Sequence, residues 1–121
     1  MRYWDELLRE QRGDLEIIVD KTWEDLDPKQ CFEEEDLPEL YEKINNGTYD
    51  WFMLRVRVLV EGLEVAEEFL GGCCYEDARE VLKDGTAEDM IHTAIEAAKP
   101  RFYKLSRVFG GLSAAVDNQT I

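Results

Sequence analysis

Two adjacent cysteines are the residues with the most obvious chemistry in this chain. Cys73 and Cys74 follow Gly71-Gly72, and a glycine-rich approach to a helix N-terminus could expose a thiolate and lower its pKa. The acidic neighbours Glu76 and Asp77 oppose this, because nearby negative charge raises a thiol pKa. We therefore predict close-packed cysteines, and Cys73 is the one nucleophile to test if the protein is an enzyme.

Other catalytic and metal-binding patterns are weak. His92 is the only histidine, and nothing near it in sequence supplies the nucleophile and orienting group that a histidine catalyst needs. Gly71-Gly72 lacks the Lys and Ser/Thr of a phosphate-binding loop, which favours a bulge or a tight strand exit. The cysteine and histidine spacings do not suit zinc, and the calcium-loop pattern is absent. We expect no catalytic residue, no metal, no cofactor and no enzymatic activity.

The strongest feature is negative charge. The chain has 28 acidic against 14 basic residues, a formal net charge of −14 and a pI near 4.4. Residues 1–98 carry all of this excess, whereas residues 99–121 are net positive. Such a surface repels phosphate backbones and anionic membranes and attracts basic grooves. Hydrophobic residues make up 45% of the chain, which is typical of a folded domain rather than of a disordered acidic tail.

The secondary-structure pattern of the sequence predicts that this charge is displayed on an α+β fold. Strict alternation from Phe52 to Val60 indicates a strand with one core face, and Glu61-Gly62 indicates a hairpin turn, so we expect a hairpin near residues 51–70. The return strand has a mixed face, and a helix over residues 61–70 is the alternative. On the opposite face, Arg55 and Arg57 are expected to form surface ion pairs with neighbouring carboxylates.

The other elements follow from periodicity, capping and turn residues. Their predicted order is α-β-α-β-β-α-α, with about three antiparallel strands in a single domain over residues 1–112 and a frayed tail at 113–121. In chain order they are a helix at 2–12, a strand at 15–20, a loop at 22–36, a helix at 37–46, strands at 51–60 and 63–70, a short helix at 77–83 and a long helix from Thr86.

The long C-terminal helix is predicted to cover one face of the sheet. Its apolar residues recur at alternating spacings of four and three, at Ile91, Ile95, Ala98, Phe102, Leu105 and Phe109. Pro100 lies inside this stripe and should kink or split the helix. The stripe leaves homodimerisation open, although covering its own sheet is the simpler use.

Acidic side chains between residues 24 and 42 are the predicted partner-binding residues. They are Glu24, Asp25, Asp27, Glu33, Glu34, Glu35, Asp36, Glu39 and Glu42. Duplex DNA carries about one charge per 1.7 Å of its axis, and carboxylates displayed on a rigid fold can imitate that ladder. We expect them to pair with Lys and Arg in a basic groove of a host protein or nucleoprotein complex, without direct binding to nucleic acid or membrane. The alternative is that the charge serves solubility alone.

One stretch resembles small proteins of unknown function encoded by phages and prophages. The resemblance covers roughly residues 45–97 and rests on Asp50-Trp51, Gly62, the segment Leu70-Gly71-Gly72-Cys73-Cys74-Tyr75-Glu76, and Glu88-Asp89-Met90. It implies an accessory protein of a mobile element in a bacterial cytoplasm. By analogy with small acidic proteins in that context, it implies an anti-defence inhibitor of the anti-CRISPR or anti-restriction type.

An interaction module of another kind is the alternative function. An immunity protein, an antitoxin or a regulatory subunit would bind its partner through an apolar patch, and Trp4, Trp23 and Trp51 are the candidate residues because tryptophan is a frequent hot spot. Localisation is expected to be cytoplasmic, since no apolar run of membrane-spanning length is present, no secretory signal precedes the first charges, and three cysteines do not suggest a disulfide framework.

Overall fold

A single four-stranded antiparallel sheet forms the centre of the molecule. The computed structural model describes the backbone of residues 2–120 and the side chains of residues 2–101, 103, 104 and 107. The strands are β1 (Asp5–Arg12), β2 (Leu15–Trp23), β3 (Asp50–Val60) and β4 (Leu63–Tyr75), and they lie side by side in that order. Helix α1 (Leu37–Asn45) connects β2 to β3, and helix α2 (Thr86–Thr120) follows β4. The predicted α+β class is therefore right, but the strand count and the element order are wrong.

The predicted helix over residues 2–12 is the source of both errors, because Asp5–Arg12 forms β1. Gly13 has φ +59° and lets the chain reverse, so that Arg12 pairs with Leu15 and β1 adds to β2 as a hairpin. Leu7 and Leu8 both pack against the core next to an irregularity in the pairing. Pairing with β2 and this packing outweigh the helical spacing of the apolar residues.

One face of the sheet forms the core. Phe52, Leu54, Val56 and Val58 are each no more than 1% exposed, which confirms the predicted alternation, and the turn falls at Glu61-Gly62 as expected. Helix α2 covers this face with buried residues of the predicted stripe and their neighbours, namely Ile91, Ala94 and Ala98.

Helix α2 runs through Pro100 as one element and is not split. Phe102, Leu105 and Phe109 lie outside the residues whose side chains are described, and the fraying of residues 113–121 and the homodimer stay predictions. Within the described residues, no helix combines the length and the apolar character needed to cross a bilayer.

The opposite face contains a charged pair that is buried rather than exposed. Asp20 is only 3% exposed and accepts hydrogen bonds from Arg55 Nε at 2.8 Å and Arg55 Nη2 at 2.6 Å. Arg57 Nη2 donates to the same carboxylate at 3.4 Å, and the Trp4 ring centroid lies 3.8 Å from the Arg55 guanidinium. The predicted ion pairing is confirmed, but its placement on the surface is wrong, because Trp4 shields it.

The second hairpin is longer than predicted. Strand β4 continues past Leu70 to Tyr75, and its pairing with β3 becomes irregular across Gly71-Gly72. These glycines are thus a bulge inside the strand, which is one of the two predicted alternatives. The short helix predicted at 77–83 is a 3₁₀ helix (Ala78–Leu82) capped by the Asp77 side chain, and further 3₁₀ turns occur at Pro28–Gln30 and Glu34–Asp36.

Candidate functional site: an acidic segment beside an open cleft

The connection between β2 and β3 is fastened to one end of the sheet. Glu24 Oε2 accepts a hydrogen bond from Gly72 N at 2.8 Å, and Trp51 Nε1 donates to Leu26 O at 2.9 Å. The Phe32 ring packs on Trp51 with 5.9 Å between centroids. These contacts place the residues that follow, up to α1, beside the bulge of β4.

Helix α1 begins directly after the acidic run. Asp36 occupies its N-cap position and Pro38 lies in its first turn, where proline loses no hydrogen bond and has a suitable φ. Leu40 is buried, and Gly47 with φ +83° reverses the chain after the helix. We call residues 33–42 the acidic segment.

Two of the nine predicted binding residues serve the fold instead. Glu24 caps Gly72 N and also accepts from Leu26 N at 3.0 Å. Asp27 accepts from the Tyr41 hydroxyl and from Lys29 N, and these hydrogen bonds, chiefly that from Tyr41, hold the pKa of Asp27 below its ordinary value. Their carboxylates are therefore engaged inside the molecule.

Two more of the nine already have a basic partner. Asp25 pairs with Arg2, and Glu39 Oε1 lies 2.9 Å from Lys43 Nζ one helical turn later. The hydrogen bond and the charge of Lys43 lower the pKa of Glu39. Exposed pairs of this kind contribute little to stability, so both carboxylates can exchange partners at low cost.

The remaining five carboxylates have no partner among the described residues. No ion pair and no side-chain hydrogen bond engages them, and all are exposed: Glu33, Glu34, Glu35, Asp36 and Glu42. A run of like charges repels itself and gains from a cation brought to it. Five of the nine predicted carboxylates, all within the acidic segment, are thus exposed and unpaired in the described structure.

An open cleft of about 820 Å³ lies between the acidic segment, the end of β4 and the Ala78–Leu82 helix. The sequence did not indicate it, because its walls come from four separate stretches of chain. Its apolar lining includes Phe32, Leu40, Leu70 and Tyr75, and its carboxylates are Asp36, Glu39, Glu76 and Glu80. Lys43 is the one basic residue of the lining, so the cleft suits an apolar group that carries positive charge.

The nucleophile considered from sequence lines this cleft, whereas the histidine is not among the lining residues. Cys73 is 6% exposed, and burial raises the pKa of its thiol to about 11, which confirms a core cysteine. Burial also raises the pKa of Cys74. His92 is exposed on α2, with Nε2 3.5 Å from Glu88 Oε1. In the part of the chain that is described, no three His, Cys, Asp or Glu residues cluster as a metal site would require.

The three tryptophans have different surroundings. Trp4 stacks on Arg55 and Trp51 is hydrogen-bonded to the β2–β3 connection, so both have structural roles. Trp23 is 50% exposed, with the Arg2 guanidinium 5.1 Å from its ring centroid. Tyr3 is 73% exposed and lines a small surface hollow together with Trp23, which we call the aromatic hollow. Trp23 is thus the most exposed of the three tryptophans and the strongest candidate for a surface hot spot.

No protein-family model, no curated protein and no solved structure matches this chain. The resemblance of residues 45–97 to phage-encoded proteins stays a prediction.

Proposed function

We propose that the protein is a non-enzymatic binding protein whose acidic segment docks into a basic groove of a partner. The observation that carries this proposal is the set of five exposed carboxylates without a basic partner in the described chain, next to a cleft rimmed by further carboxylates. A groove lined by Lys and Arg would neutralise both.

Grooves of that kind usually hold nucleic acid. Their Lys and Arg side chains are spaced to contact phosphates, and bound ions are released when an anionic ligand occupies the groove. Binding of a competing acidic protein should therefore be fast and strongly dependent on salt. The proposed partner is therefore a nucleic-acid-processing protein or complex, and the proposed effect is to block its channel. The resemblance stated above extends this proposal to a bacterial defence complex inhibited by a protein of a mobile element.

The test is a pull-down with a matched pair of variants. Wild-type protein, Glu33→Gln/Glu34→Gln/Glu35→Gln and the control Asp14→Asn/Glu61→Gln/Asp89→Asn are tagged and incubated with a nuclease-treated bacterial lysate. Each variant loses three exposed carboxylates that have no partner among the described residues, so their net charges are equal. Retained proteins are identified by mass spectrometry after low-salt and high-salt washes.

We expect a nucleic-acid-binding partner that wild type and control retain at low salt and release at high salt. Loss of three exposed pairs at roughly 0.5 kcal/mol each should weaken its binding to the Glu33–Glu35 variant about tenfold. Equal retention by all three proteins would contradict a role for the acidic segment.

The aromatic hollow supports a second candidate function, a protein–protein interaction module of the immunity-protein, antitoxin or regulatory type. Its observation is the exposure of Trp23 and Tyr3, since exposed aromatic side chains often dominate binding energy. Trp23→Ala should then abolish a salt-insensitive interaction in the same pull-down. If that variant retains every partner, the second candidate is excluded.

A further inference from the structure

Strand β4 has an open outer edge. It is the longest strand of the sheet, and among the described residues it pairs only with β3. Side chains cap its backbone at two points: Arg101 Nη1 donates to Val65 O at 3.0 Å, and Glu24 accepts from Gly72 N. Between these caps, within the described chain, the one further contact to a main-chain group is a weak one from Cys73 Sγ to Leu70 O at 3.5 Å. Alternate residues of this stretch direct N–H and C=O groups away from the sheet.

The side chains along this edge have a regular order. Glu67 and Phe69 pair with Arg57 and Arg55 on the face opposite α2, whereas Glu68 and Leu70 pair with Val56 and Leu54 on the α2 face. Each face therefore presents a carboxylate and then an apolar side chain. Phe69 is 50% and Leu70 is 40% exposed. The Phe69 ring centroid lies 6.2 Å from that of Trp4 and Leu70 lines the cleft, and the exposed part of both side chains is available to a neighbouring strand.

We propose that this edge binds an extended segment of a partner protein as a fifth strand, in which two adjacent apolar residues precede two adjacent basic residues. In the antiparallel arrangement, which is the more stable one per residue, the apolar pair lies opposite Leu70 and Phe69 and the basic pair opposite Glu68 and Glu67. Main-chain hydrogen bonds supply affinity, and the side-chain order supplies specificity.

Charge complementarity favours a basic occupant. Glu67 has Arg55 as its nearest base, at 4.0 Å, and that guanidinium is already committed to Asp20. Burial and the neighbouring Glu64 raise the pKa of Glu67, so its carboxylate is incompletely compensated. The described part of β4 contains no Lys or Arg.

A second copy of the chain suits this edge less well. If two β4 strands paired about a two-fold axis, centring the register on Glu67 or Glu68 would set identical carboxylates opposite each other. Centring it on Phe69 would place Glu68 against Leu70. Like charges directly opposite each other destabilise a sheet, and acidic edge residues of this type prevent self-pairing.

The first test compares two labelled hexapeptides of identical composition by fluorescence anisotropy. One has the order threonine, valine, phenylalanine, lysine, lysine, threonine, and its isomer exchanges the phenylalanine with the first lysine. In the isomer, two of the four central side chains face the wrong partner. At about 0.2–1 kcal/mol per cross-strand pair, we expect the ordered peptide to bind about tenfold more tightly. Equal affinities would overturn the proposal, because they would indicate attraction by net charge alone. Absence of binding by both peptides would also overturn it.

A charge exchange then locates the contact. Glu68 is half-buried and engages no basic side chain in the described structure, so Glu68→Lys should keep the fold, which thermal unfolding would check. This variant should bind the ordered peptide about tenfold more weakly and recover affinity for a peptide with glutamate in place of the first lysine. Failure of that recovery, or a dimer of the wild-type chain in sedimentation that the peptide does not dissociate, would overturn the proposal.

The Glu33→Gln/Glu34→Gln/Glu35→Gln variant separates this inference from the proposed function. Its affinity for the ordered peptide should equal that of wild type, because Glu33, Glu34 and Glu35 are not among the residues that line the cleft beside Leu70. A tenfold loss in this variant would instead assign peptide binding to the acidic segment and overturn the inference.

Discussion

Replacement of Asp20 by Asn should be among the most destabilising single changes to this protein. The Asp20 carboxylate is 3% exposed and accepts from both Arg55 and Arg57. Asparagine has nearly the same shape, but it carries no charge and presents an amide N–H₂ where Arg55 Nη2 needs an acceptor. The change would leave the Arg55 guanidinium, which lies against the Trp4 ring, and the Arg57 guanidinium without the carboxylate that they share.

The expected cost is about 3–5 kcal/mol, which is typical when one partner of a buried ion pair is removed and the other stays buried. A domain of this size has a total unfolding free energy of about 5–15 kcal/mol. The variant should therefore be close to the limit of stability, with its melting temperature lowered by at least about 10 °C. Raising the salt concentration should recover little of this loss, because buried charges are poorly screened.

Urea unfolding followed by tryptophan fluorescence measures this cost, and the Trp4 ring on Arg55 provides a local signal. Glu6→Gln is the control, since it removes an exposed partner of Arg9, with 2.9 Å between Arg9 Nη2 and Glu6 Oε1, and should cost less than about 1 kcal/mol. If Asp20→Asn cost no more than this control, the pair would behave as a surface ion pair and our reasoning would be refuted.

Three further predictions concern Cys73 and Gly71. A thiol reagent should modify exposed Cys31 readily and Cys73 only after unfolding, as mass spectrometry would show. Burial raises the pKa of Cys73 from an ordinary 9.0 to about 11 in the folded protein. The buried neutral thiol therefore contributes its full share of the unfolding free energy below pH 9, and this share is lost as the pH rises towards 11. Urea titrations across this pH range should show the loss in wild type and not in Cys73→Ala. Gly71→Ala would place Cβ 2.8 Å from Glu24 Oε2 and should cost about 1–3 kcal/mol. In a Glu24→Ala background that cost should fall by at least half, and an unchanged cost would exclude this clash.

The parts of the fold that depend on local pattern could be predicted from sequence. Alternation along β3 is uninterrupted, and one face of α2 is apolar, so both elements and their packing follow from periodicity. The pattern of β1 is broken, because the pairing shifts between Glu6 and Leu8 and puts two adjacent leucines against the core. That break produces helical spacing, and only the turn at Gly13 signals a hairpin.

The candidate site, too, could be predicted from sequence only in part. Exposure of Glu33–Asp36 follows from the mutual repulsion of four like charges, which keeps them in water. The structural role of Glu24 could not be predicted, because its partner Gly72 lies 48 residues away. In sequence, a carboxylate that accepts a hydrogen bond from a distant bulge cannot be told from a free one. The open edge of β4 requires the strand order, which no local pattern contains.

The acidic segment lies within an excursion between two strands that are already neighbours. Residues 24–49 leave β2 and return to β3 at the same end of the sheet, and every strand pairs with the one next to it in sequence. The register of the sheet is therefore set largely without these residues. Each doubling of such a connection costs only about 0.6 kcal/mol in loop-closure entropy. The length and charge of this connection could thus change while the same four strands are kept.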